Sequence, residues 1–110
     1  MFRIHDLVEN EDVEALEAAL RAGISPDSPD DDFPEFLLIF RAIDISNEGR
    51  IRNFRNESDL RSIGLLLEFG CSLTASYKAE TPYRFASSLG HLDAARLIER
   101  YTSQAPVGMD

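Results

Sequence analysis

Hydrophobic positions recur at steps of three and four residues in three stretches of this chain. From Asp12 to Leu20 the apolar set is Val13, Ala15, Leu16, Ala19 and Leu20, and Gly23 follows where a helix C-terminal glycine belongs. That spacing predicts an amphipathic helix ending at about Arg21 or Ala22. Between Leu60 and Phe69 the positions Leu60, Ile63, Leu66 and Leu67 do the same, and Gly70 stops the pattern. Residues 91–101 repeat it with Leu92, Ala95, Leu97, Ile98 and Tyr101. Each stretch is preceded by a second apolar segment, Ile4 to Val8, Phe36 to Ile45, and Tyr83 to Leu89, so the pattern predicts six helices in three pairs. Between the pairs, Ser25-Pro26-Asp27-Ser28-Pro29-Asp30 and Ser72-Leu73-Thr74-Ala75-Ser76-Tyr77 carry residues that favour turns.

The length of 110 residues fits one small core and leaves no room for a conventional two-domain enzyme. A formal net charge of -9 sets the chain against phosphate backbones, so nucleic acid is not expected as a direct partner. The charge is also unevenly placed. Residues 1–35 hold eleven acids, Asp6, Glu9, Glu11, Asp12, Glu14, Glu17, Asp27, Asp30, Asp31, Asp32 and Glu35, against Arg3 and Arg21, while the remainder is balanced. The excess is therefore directional, either a solvated face or a field that steers a basic partner. A lone Cys71 cannot form an internal disulfide and suits a reducing compartment. The first residues lack a signal-peptide pattern, and no apolar run approaches the roughly 18–20 residues of a membrane helix. A soluble, cytoplasmic protein with no membrane partner is expected.

Residues 81–98, TPYRFASSLGHLDAARLI, follow the pattern T-P-L-H-x-A-A-x-x-G-H-x-E-V-V-x-L-L at Thr81-Pro82, Ala86, Gly90-His91, Asp93, Leu97 and Ile98. Residues 63–75, IGLLLEFGCSLTA, match the other half of the same unit, with Cys71 in its small-residue slot, and Ile4-His5 with DVEALEAALRAGISPD forms a looser copy. The chain thus resembles the ankyrin repeat family over nearly its whole length. The resemblance implies an all-α, ankyrin-type solenoid of three helix-turn-helix repeats, at about 1–30, 31–77 and 78–103, forming one domain before a tail at 104–110. Repeat 1 departs from the family at Phe2-Arg3, in place of Thr-Pro, and at Glu11-Asp12, in place of Gly-His, as befits a polar end cap. Repeat 2 is stretched. Counting from Ala42 and from Leu65-Leu66-Leu67 places an insertion between its two helices at about Ser46 to Glu57.

The residues point to no catalytic site. Ser87, Ser88, His91 and Asp93 contain the parts of a nucleophilic triad, but the turn Gly90-His91-Leu92-Asp93 has a structural explanation in the repeat. Two histidines without ligand spacing make no metal site, the run Asp30-Asp31-Asp32 lacks the alternation of a calcium loop, and no cofactor is implied. Cys71 is expected as a small buried residue. The resemblance instead implies a concave binding surface built from the tips of the inter-repeat hairpins and the exposed side of the first helices. By register it takes Asp30, Asp31 and Phe33, then Tyr77, Lys78 and Glu80, with Glu9, Asn10, Arg41, Asp44 and Ser88 from the helices. Phe33 and Tyr77 are the expected anchors. The insertion, with Arg50, Arg52 and Arg55 around Ile51 and Phe54, is open to three readings: a disordered loop, a recognition loop, or a contact with the acidic first repeat.

With Met1 opening what reads as a complete array, binding itself is the expected activity. The chain is expected to be a non-catalytic interaction module that inhibits or sequesters a protein with a basic surface, as an immunity protein does a toxin. The alternative is an adaptor joining two proteins.

Overall fold

The computed structural model describes residues 3–52 and 60–104. Among them six helices form: α1 (Ile4–Glu9), α2 (Val13–Arg21), α3 (Leu38–Arg52), α4 (Arg61–Glu68), α5 (Pro82–Ser88) and α6 (Leu92–Gln104). The fold is all-helical. Consecutive helices pack as the pairs α1–α2, α3–α4 and α5–α6; α1, α3 and α5 also lie side by side in one row, and α2, α4 and α6 in a second. No helix among the described residues is long and apolar enough to cross a membrane.

Local chemistry sets the helix ends. Asp12 caps α2 by accepting a bond from the Ala15 N–H at 3.2 Å, and Thr81 caps α5 through the Arg84 N–H, with Pro82 in the first turn. Helices α1, α2, α4 and α5 all finish in the same way. The first residue past the cap turns left-handed and bonds back to the third carbonyl behind it, and the next residue reaches one carbonyl further back: Gly23 to Leu20 and Ile24 to Ala19 after α2, Gly90 to Ser87 and His91 to Ala86 after α5. Gly23 and Gly90 take φ of 106° and 77°, which a glycine adopts freely. After α1 the same two bonds form from Glu11 and Asp12, but the left-handed residue is Glu11, at φ 57°. The backbone turn is retained where the glycine is not.

The core lies between the two rows and is continuous: Val8, Leu16, Leu38, Ile39, Phe40, Ile43, Ile63, Leu66, Ala86, Ala94 and Ile98 are all essentially inaccessible to solvent. Helix α3 is central, packed on α1, α4 and α5. One end of its buried face joins an aromatic cluster. Phe40 lies 5.4 Å edge-on from Phe85 and 5.7 Å from Tyr77, while Phe36 meets Tyr77 at 4.9 Å.

The first half of the segment expected as an insertion is helical. Helix α3 continues to Arg52, so residues 46–52 extend the helix. The reason is burial: Ser46 and Asn47 follow Ala42 and Ile43 around the same face, and the Ser46 hydroxyl sits 2.8 Å from Nε2 of buried His91. His91 therefore ties the third helix pair to the second. Phe54 and Arg55 lie outside the described residues, as does the side chain of Arg50. Helix α6 runs to Gln104, the first residue of the expected tail.

Candidate binding surface

Three of the residues expected on the binding face are engaged inside the protein. Arg41, on α3, donates from Nη1 to Glu9 at 2.7 Å, from Nη2 to Asp30 at 2.8 Å and from Nε to Nδ1 of His5 at 2.8 Å, and its guanidinium lies 4.9 Å from the centre of the Phe36 ring. All three donor positions are thus used, with an aromatic face below them. Because His5 Nδ1 accepts this bond, its proton is on Nε2, which donates to the Ser28 carbonyl at 2.8 Å. One side chain of α3 therefore fastens both α1 and the loop after α2.

Asp30 is held from two sides. Its second carboxylate oxygen accepts from the backbone N–H groups of Asp32 at 2.9 Å and Phe33 at 3.1 Å, and closes the turn. Burial alone raises the Asp30 pKa, but these two bonds, with the charge of Arg41, outweigh it and leave the carboxyl below its ordinary range. The base of this loop is tied as well. The Pro29–Leu37 bridge closes it, and Asp27 accepts from the Ser72 N–H at 2.7 Å, linking the loop after α2 to the loop after α4.

Beyond Asp30 the loop is open. Phe33 is 63% exposed, and Asp32 and Glu35 beside it carry no ion pair among the described residues. Asp31 meets Arg3 at 3.0 Å in full solvent, a contact worth little. Asp32, Phe33, Pro34 and Glu35 form one wall of a groove of about 390 Å³, and Tyr77 and Lys78 form the other. The second wall is a tight turn in which Tyr77 and Glu80 exchange both backbone bonds, at 2.9 and 3.0 Å. Lys78 and Ala79 both take left-handed φ, 52° and 68°, in that turn, a conformation that Asn-Gly adopts with less strain. The Lys78 ammonium lies 5.4 Å from the Tyr77 ring centre.

The expected site residues therefore divide. Phe33, Asp31, Tyr77 and Lys78 come together around the groove, although Tyr77 is half-buried in the aromatic cluster and is correspondingly a packing residue. Glu9, Asp30 and Arg41 form the internal network. Asn10 is exposed at the end of α1, and Ser88 donates to the Glu80 carboxylate. Asp44 is half-buried on α3; burial first, then the nearby Glu48 charge, pushes its carboxyl above the ordinary range. Arg52 is 80% exposed, 3.7 Å from Glu48. Sequence reasoning left Asp32, Pro34 and Glu35 out of the site, although the run Asp-Asp-Asp-Phe-Pro-Glu shows that they flank Phe33. It also missed the Asp27 strut.

The triad reading finds no geometry. Ser87, Ser88 and Asp93 are exposed, and Nε2 of His91 is directed to Ser46. Among the described residues no group of His, Cys, Asp and Glu could hold a metal ion. Cys71 is buried, and burial, with the Asp27 charge second, pushes its thiol up to about 12. No family model matches the chain, and neither a curated protein nor a solved structure matches it.

Proposed function

We propose that the chain is a three-repeat ankyrin-type solenoid that works by binding another protein, without catalysis, and that this partner presents a basic surface. Two rows of helices joined by loops that meet in one groove support the architecture. The observation that carries the function is Phe33, a large aromatic side chain 63% exposed at a groove and flanked by Asp32 and Glu35, which carry no ion pair among the described residues. Such a residue is suited to anchor a partner, while the acids around it set orientation and association rate. Binding is then the activity itself: the partner is inhibited or sequestered, as an immunity protein holds a toxin whose working surface is basic.

Affinity capture on the immobilised full chain, read by mass spectrometry beside an Asp32→Lys/Glu35→Lys variant, tests this. The expected result is one basic protein retained by the wild type and lost from the variant. Capture that is identical on both, or no capture, overturns the proposal. An adaptor joining two proteins is the second reading, favoured by Ile51, 69% exposed beside Arg52 at the end of α3. Several partners, some indifferent to the loop variant, would favour it.

A further inference from the structure

We infer that the groove between the two loops is a seat for a single arginine side chain of the partner; this rests on the protein-binding reading above. The protein shows on itself how it holds a guanidinium. Arg41 lies over Phe36 at 4.9 Å while two carboxylates, Glu9 and Asp30, take its two terminal nitrogens at 2.7 and 2.8 Å. An aromatic face with two carboxylates matches what a guanidinium offers, a flat weakly hydrated surface and N–H donors fanned in its own plane. Three residues upstream of Phe36 the same residue types recur. Phe33 with Asp32 and Glu35 lines the groove, and no cation of the described chain pairs with either carboxylate: Arg3 is on Asp31, Arg41 is on the inner trio, and Lys78, itself a lining residue, is over Tyr77 on the opposite wall.

Charge and shape both select the occupant. An anionic partner group would meet two carboxylates; an apolar one would leave them facing it undischarged. A lysine satisfies the charge but presents a compact, strongly hydrated head that stacks poorly on a ring. Lys78 repels any cation that enters and so limits affinity. Its removal is expected to strengthen binding.

The test is a ¹H–¹⁵N NMR titration of the full chain with blocked Gly-Gly-Arg-Gly-Gly, and with the same peptide carrying Lys or the uncharged isostere citrulline at its centre. The Arg peptide is expected to move the amides of residues 32–35 and 77–78, the Lys peptide to bind roughly two- to fivefold more weakly, and citrulline to leave them still. Phe33→Ala is expected to weaken Arg-peptide binding by a similar factor, Asp32→Asn/Glu35→Gln to weaken it further, and Lys78→Gln to tighten it. The substituted side chains are largely exposed, so an unchanged melting temperature identifies each variant as folded. Citrulline binding as well as arginine, or binding indifferent to Phe33→Ala and to the double variant, overturns the seat. Arginine-dependent shifts that fall on Glu9, Asp44 and Glu80 instead overturn it too, yet leave the protein-binding reading in place, which the capture experiment judges separately.

Discussion

The loop after α2 has two halves made of the same residue types that behave as opposites. At its base, Asp27 and Asp30 are acceptors for backbone N–H groups, Asp30 also holds Arg41, and both are partly buried. At its tip, Asp31, Asp32 and Glu35 surround an exposed Phe33 and, among the described residues, make one ion pair, an open contact to Arg3. An acid at the base contributes to folding, and one at the tip is available to a partner. The formal charge of the first third therefore overstates the field it projects, because Glu9 and Asp30 are already met by Arg41.

Substitutions can break that comparison, and the largest effect is expected at its hinge. Arg41→Ala leaves Asp30, His5 and the half-exposed Glu9 without their shared donor and is expected to cost about 2–3 kcal/mol in urea unfolding, less than a fully buried pair would. Asp27→Ala strands the Ser72 N–H and is expected to cost about 1–2 kcal/mol. Glu11→Gly removes a further acid of the same region and should instead raise stability, by about 1 kcal/mol, because the left-handed φ of 57° strains a glutamate and not a glycine. Together these would show that position, not charge, decides what an acid of this region contributes.

Acid titration sharpens the contrast. The Asp30 carboxyl is held below its ordinary value of 3.8, so the stability it supplies is present above that pH and is lost as pH falls through it toward the folded-state value. Asp30→Asn should flatten this acid limb. Asp44 runs the other way: its raised pKa makes the ionised form a cost, so Asp44→Asn should stabilise the protein at neutral pH, with the gain vanishing below the ordinary carboxylate range. At the tip, Asp32→Asn should shift stability by no more than about 0.5 kcal/mol.

Much of the helix framework was legible in the sequence because apolar spacing and a following glycine act locally, as at Leu16, Leu20 and Gly23. The length of α3 was not. Beyond Ile45 the residues Ser-Asn-Glu-Gly-Arg are polar, and the helix continues there because Ser46 and Asn47 are buried, Ser46 against a histidine 45 positions away. The site was half legible for the same reason. Phe33 and its acids could be read as one run, whereas the capture of Arg41 by His5, 36 positions apart, and the burial of Tyr77 among rings from three segments depend on tertiary contacts.

The most direct test of the division between base and tip is the association rate of the captured partner with the Asp32→Lys/Glu35→Lys variant, measured at low and high salt on protein whose melting temperature is unchanged. Association is expected to be much slower than wild type at low salt and to converge with it as salt screens the tip. An association rate equal to wild type at low salt would contradict it.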